Sequence, residues 1–398
     1  MGTPFDPTDP DFLADPYPTY RRLRENSPIF FFDKWNAFVL TRYEDVNALL
    51  RDRRLGRVLE NAPEYDERTW EFEQSRRGSL LEIEPPDHTR IKDVFHQTFT
   101  PKRVRQLGVK IEALCQILAD RLLRRPGRRA DLLEDFAQPI PVTVIADLLG
   151  IPHHQRDMLV PWSKGIIGWF EPERTPAMEA EAVRCAQEFM TYLRGLIPQK
   201  RAEPVDDLMC AMIAVHDAEP ARLSEAELIN NCILLLNAGH EAVVNVVGNG
   251  LKALLTHPEQ MAKLRADPTL IPTAVEEMMR FDTPLQFFER LVLEPLEYKG
   301  HRWERGTKLC LFYAAANHDP AVFAEPERFD IARDPNPHLA FGMGLHYCIG
   351  APLARVELQT TLRVLLDRLP DLRVAEGARL EYMPKNVFRY LKELPVVY

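Results

Sequence analysis

A mainly α-helical fold, forming one domain over residues 1–398 with small peripheral sheets, is what this sequence predicts. Three observations lead there. Apolar residues recur at helical spacing through most of the chain. Strand-like runs are short and gather near the two ends. The 33 prolines are scattered as punctuation, with no internal repeat, low-complexity tract or Gly/Ser linker to divide the chain.

Taken in order, 28–32 and 37–41 read as early strands. In Pro85-Pro86-Asp87-His88, Asp87 is a natural N-cap for a helix that carries His88 and Lys92 one turn apart. Helices follow at 104–124, 138–149 and 178–197. The next, 224–257, opens on a capping box, Ser224 to Glu227, stapled by Leu223 and Leu228. It would be about 48 Å long at ~1.5 Å per residue, and Pro258 stops it. Its apolar middle is interrupted by Ala238-Gly239-His240-Glu241-Ala242. A glycine there costs ~1 kcal/mol relative to alanine, and such a local departure often marks a working site. Helices at 259–266, 271–282 and 351–368 alternate with late strands at 291–298, 308–312 and 372–374.

A hydrophobic content of 45% is ample for a large core, and a net charge of −9 argues against nonspecific nucleic-acid binding. Six cysteines without a C-x-x-C pair read as reduced thiols in the cytoplasm. The first residues lack a basic, apolar leader, and no run of eighteen apolar residues occurs, so neither a signal peptide nor membrane attachment is expected.

The strongest chemical signal is Phe341-Gly342-Met343-Gly344-Leu345-His346-Tyr347-Cys348-Ile349-Gly350. Six specified residue types at ~2–7% usage each match by chance on the order of 10⁻⁸ per position. Its glycines allow a tight turn and close approach to a large planar ligand. Cys348 precedes a helix opening with Ala351-Pro352, whose positive end favours a thiolate. Phe341 is placed to shield the sulfur, and His346 to donate to an anionic group.

This pattern, and with it nearly the whole chain, resembles the cytochrome P-450 family. The resemblance implies a triangular, α-rich prism and a soluble haem-thiolate monooxygenase. Haem b would lie between the long helix and the helix after Cys348, its iron ligand. Phe341, Gly342, His346 and Gly350 would surround the cofactor. His88, Lys92 and Arg290 would meet its propionates, with Lys92 standing where the family usually has an arginine fork. Glu277 and Arg280 match the family's E-x-x-R, completed by Arg328 as a structural charge cluster. Ala238, Gly239, Glu241 and Ala242 match the O2-binding groove, although most members carry threonine at the last place. By resemblance, substrate contacts fall within 51–83 and near Trp169-Phe170, and at Leu234, Asn237, Leu285, Phe287, Phe288, Val387 and Phe388.

The implied reaction is O2-dependent hydroxylation of a hydrophobic small organic molecule. The implied partners are a ferredoxin and an NAD(P)H-dependent ferredoxin reductase, met through a basic face including Lys92, Lys102, Arg103 and Arg105 of an otherwise monomeric enzyme. Two rivals stay open. An H2O2-driven peroxygenase would need no ferredoxin, and a haem sensor or carrier would turn nothing over. Assays with a surrogate ferredoxin system, with H2O2 and with neither separate the three.

Overall fold

The computed structural model describes residues 5–59 and 67–398, apart from the side chains at 97 and 98. The chain divides into two compact units: one made of residues up to Gly56, Ile111–Pro139 and Ala242–Tyr398, the other of Arg57–Lys110 and Ile140–Glu241.

The first unit holds the sheets. Five strands lie in the order Ile29–Phe32, Ala37–Leu40, Lys308–Leu311, Phe288–Val292, Leu55–Gly56. Only the pair Ala37–Leu40 and Lys308–Leu311 is parallel. Arg129–Asp131, Pro395–Val397 and Arg373–Val374 form a second sheet. The strand expected over 291–298 is instead two, Phe288–Val292 and Leu296–Tyr298, separated at Pro295, which has no N–H to give a ladder. One core cluster is aromatic: Phe5, Phe12, Tyr20, Phe32, Trp35, Phe287 and Phe312. The helices Ile271–Phe281 and Ala351–Arg368 pack against each other.

The second unit is helical. Leu159–Ile167, which periodicity did not reveal, packs on Pro176–Ala202. Their close approach depends on Gly165, where a β-carbon would lie 2.4 Å from Cys185 Sγ. The helix Asp87–Thr98 is capped by Pro86, not by Asp87 as its sequence suggested. Asp87 lies inside the first turn and pairs with Arg90 at 2.7 Å, where its charge still suits the helix dipole.

The long helix is observed over Glu225–Thr256. Its capping box forms in both directions: Ser224 Oγ accepts the Glu227 N–H at 3.2 Å, and Glu227 Oε2 accepts the Ser224 N–H at 2.8 Å. Asn230 and Asn231, polar residues inside an apolar helix, have a local purpose. Asn230 Nδ2 donates to the carbonyls of Gln74 and Arg77, and Asn231 Oδ1 accepts the Leu80 N–H. They pin the end of the helix Trp70–Arg76 and the segment after it. No helix among the described residues is long and apolar enough to cross a membrane.

Candidate functional site

The loop carrying Cys348 is shaped by two glycines with left-handed backbone, Gly342 at φ +65° and Gly344 at φ +73°. At Gly344 a β-carbon would also fall 2.2 Å from the Leu50 carbonyl oxygen, so no other residue fits without moving the backbone. The loop closes through the Cys348 N–H, which donates to the Phe341 carbonyl at 3.1 Å. Gly350 then caps Ala351–Arg368, with Pro352 in its first turn. The backbone N–H groups of Gly350 and Ala351 act on the Cys348 sulfur, and the Ala351 N–H also donates to the Cys348 carbonyl at 3.3 Å. Cys348 keeps accessible surface, yet protein packed around the sulfur pushes the thiol up by desolvation. Those two N–H groups and Arg355 act against that rise without cancelling it.

In the same unit Arg290 is buried, its guanidinium 5.8 Å from the Phe288 ring. His346 is half-buried in the turn Gly344–His346. In the other unit His88 is buried in Asp87–Thr98, with half-buried Lys92 one turn on.

Glu277 and Arg280 form a two-pronged ion pair, at 2.7 and 2.8 Å, with neither side chain exposed. The third cation is Arg333, not Arg328. Arg333 Nε lies 3.2 Å from Glu277 Oε2. Arg328 offers only its backbone carbonyl, which accepts from Arg280 and Arg333, while its side chain turns outward to Glu325. The Asp330 N–H and Asn336 Nδ2 complete the shell around Glu277. The E-x-x-R spacing predicts the first pair because i and i+3 share a helix face. Arg333 lies on an irregular segment where no such period applies.

Within the long helix, Ala238 is exposed between half-buried Asn237 and Gly239. At Gly239 the missing β-carbon makes room for Ile145, whose Cδ1 would be 2.5 Å away. His240 and Glu241 are buried. His240 Nδ1 lies 3.4 Å from Ser163 Oγ and 3.8 Å from Glu241 Oε2, and its Nε2 has no hydrogen-bond partner among the described residues. Burial, aided by Lys164, lowers the imidazole to about 4. Burial likewise raises the Glu241 carboxyl, against the pull of Lys164. Ala242 follows, half-buried and without a hydroxyl. Sequence reasoning missed Ser163 and Lys164, because nothing in their helix marks them as polar partners of residues far along the chain.

The expected substrate residues separate into two groups. Phe287 is core: it stacks on Trp35 at 5.0 Å and on Phe312 at 4.8 Å. Val387 is buried in the same cluster, against which Leu285 and Phe388 also pack. Leu285, Phe288 and Phe388 are half-buried, and Leu285 and Phe388 pair as an isolated bridge. Leu234 and Asn237 are half-buried on the long helix. In 169–170, Trp169 is buried against Phe72, with ring centroids 4.3 Å apart. Part of the 51–83 segment, residues 60–66, lies outside the described residues.

Residues 28–370 match the family model described as Cytochrome P450. The chain is 38% identical over 391 residues to the cytochrome P450 monooxygenase PikC of Streptomyces venezuelae, covering 97% of this chain and 92% of that protein. It is 35% identical over 404 residues to the polyketide biosynthesis cytochrome P450 PksS of Bacillus subtilis (strain 168), with 98% of each covered. Among solved structures, P450BioI in complex with an acyl carrier protein ligated to hexadec-9Z-enoic acid matches with a TM-score of 0.91 at 34% identity, covering 98% of this chain and 100% of that one.

Proposed function

This chain belongs to the cytochrome P450 family of haem monooxygenases, and we propose that it hydroxylates a hydrophobic small organic substrate with O2, as one haem-thiolate domain over residues 1–398. The observation that carries this reading is the Cys348 loop, in which a lone sulfur faces two backbone N–H groups at the start of a helix. No group of three or more His, Cys, Asp or Glu that could hold a metal ion occurs among the described residues. A metal held by Cys348 must therefore bring its other ligands with it, as the iron of haem b does. Because the thiol is raised in the protein alone, its ionisation comes with coordination, which deprotonates a thiol outright.

Bound to that sulfur, the haem supplies O2 activation, and in cytochromes P450 generally the thiolate favours O–O cleavage. The chain supplies the rest. Gly342, Gly344 and Gly350 shape the loop, and Phe341 covers the sulfur. His346, Arg290, His88 and Lys92 are the proposed partners of the propionates. Ala238 offers a helix surface free of side-chain bulk, while Glu241 and His240 hold protons in a buried setting. Leu234, Asn237, Leu285, Phe288 and Phe388 are the proposed substrate contacts. A polyketide biosynthesis relative and a neighbour that binds a fatty acyl chain support a hydrophobic substrate class.

Ferredoxin and its NAD(P)H-dependent reductase are the proposed electron donors. Lys102 and Arg105 are exposed for docking, whereas Arg103 is held by Asp206. Affinity for a ferredoxin should fall as salt rises, and fall further in Lys102→Glu with Arg105→Glu. An affinity unmoved by both removes the docking face. For the central reading, the reduced, CO-bound protein should show the strongly red-shifted Soret band of thiolate ligation, and Cys348→Ala should lose it. A histidine-type band in the unaltered protein overturns the proposal.

A further inference from the structure

Next to the E-x-x-R glutamate stands another, Glu276, that no motif singled out. Its carboxylate takes a two-pronged bond from Arg355, Nε at 2.7 Å and Nη2 at 2.8 Å. It also takes a bond from His338 Nε2 at 2.9 Å. The His338 tautomer follows from its other nitrogen: Nδ1 accepts the Ala340 N–H at 3.2 Å, so the proton sits on Nε2 and points at Glu276. Both groups tied to Glu276 reach the same aromatic ring. The Arg355 guanidinium lies over Phe341, 4.7 Å from its centroid, and the His338 ring is 6.1 Å away. Phe341 in turn accepts the Cys348 N–H on its carbonyl. One carboxylate on the helix Ile271–Phe281 thus holds a cation and a ring against Phe341, whose carbonyl anchors the Cys348 N–H.

From this geometry we infer that Glu276 and Arg355 are positioning residues for the thiolate: they clamp Phe341 over Cys348 and set the net charge beside the sulfur. The inference rests on the reading of Cys348 as the haem ligand. Arg355 is a charged side chain that acts on the Cys348 sulfur in the direction of ionisation. Glu276 offsets that charge, and it does so over the working pH range. Burial alone would raise its carboxyl, but bonds from Arg355 and His338 hold it at about 2. An electron arriving at a thiolate-bound iron is stabilised by positive charge nearby and opposed by negative charge. The neutral pair leaves the potential near that of the bare loop, and removing one member exposes the other.

The test is the reduction potential of the haem-loaded protein, measured spectroelectrochemically. Glu276→Gln leaves Arg355 uncompensated and should shift the potential upward. Arg355→Gln leaves Glu276 uncompensated and should shift it downward. The double variant should return close to the starting value. A purely structural role would move both single variants the same way, and that result, or no shift, overturns the inference. Should Glu276→Gln fail to take up haem, Arg355→Lys decides: retaining the charge, it should keep the original potential, and a shift as large as that of Arg355→Gln overturns the assignment. The CO-bound Soret band recorded on the unaltered protein separates failure of this inference from failure of the thiolate reading itself.

Discussion

Glu277 and Glu241 are both buried carboxylates, and their surroundings are opposite. Glu277 is enclosed by Arg280, Arg333, Asn336 and the Asp330 N–H, so every side of it meets a donor. Glu241 has a histidine 3.8 Å away that burial keeps from charging, and the more remote field of Lys164. The first arrangement stabilises a fixed charge and holds the segment 326–336 to the helix Ile271–Phe281. The second leaves an acid whose neutral form is favoured, which suits a group that gives up and regains protons. The difference teaches that burial alone says little about what an acid does. The number of donors around it separates scaffold from chemistry.

The largest effect should come from breaking the satisfied region. Removing one partner of a buried ion pair costs ~3–5 kcal/mol, because the other charge stays buried. Glu277→Ala should accordingly yield little haem-loaded protein and a much lower melting temperature. Arg333→Ala should do the same to a lesser degree, whereas Arg328→Ala, at an outward-facing side chain, should be nearly silent. Equal damage from Arg328 and Arg333 would contradict the observed cluster.

A third acid sharpens the contrast. Glu357, on the helix Ala351–Arg368, is buried with no hydrogen-bond partner for its Oε1 among the described residues, and desolvation lifts its carboxyl to about 8. A carboxyl raised on folding contributes no penalty below its unfolded value near 4.5, where both states are protonated. Between there and about 8 the unfolded chain releases a proton that the folded chain keeps, so stability falls as pH rises. Glu357→Gln should remove that fall, stabilising the protein at pH ~8 by up to roughly 5 kcal/mol at ~1.4 kcal/mol per unit, with little effect at pH ~4. Melting temperatures of both proteins across that range check it; parallel curves would mean that Glu357 ionises freely in the fold.

Which parts were legible in the sequence follows from how local each signal is. The Cys348 loop was readable because its glycines answer to backbone needs at fixed positions. The capping box at Ser224 and the E-x-x-R pair were readable because both are matters of one helical turn. Arg333 was not, since it reaches Glu277 from an irregular segment. Phe287 and Phe288 show the same limit where a strand begins: only the three-dimensional packing says that Phe287, just before Phe288–Val292, joins Trp35 and Phe312 in the core. The packing of Ile145 against Gly239 was not readable either, because Ile145 lies on another helix.

The smallest structural change proposed, one hydroxyl at position 242, tests whether the unsatisfied region handles protons. Cleaving O2 consumes protons, and a hydroxyl next to Glu241 would ordinarily help hold a water for their delivery. Ala242 offers a methyl group. Polar groups do surround this turn of the helix: His240 Nε2, Asn237 Oδ1 and Asn245 Nδ2 all lack hydrogen-bond partners among the described residues. Buried polar atoms of this kind commonly recruit water or a ligand's polar group. Proton delivery here should therefore run through water, or through a hydroxyl on the substrate. Coupling should then depend on the substrate, with poorly matched compounds releasing H2O2 at the expense of product. Ala242→Thr should raise product per NAD(P)H for those compounds, by a few-fold at most, and leave or lower it for a substrate that brings its own hydroxyl. Product and peroxide yields for both proteins over a panel of substrates measure this directly. Uniformly high coupling, unmoved by Ala242→Thr, would place proton delivery elsewhere and reduce Glu241 to an acid that is merely buried.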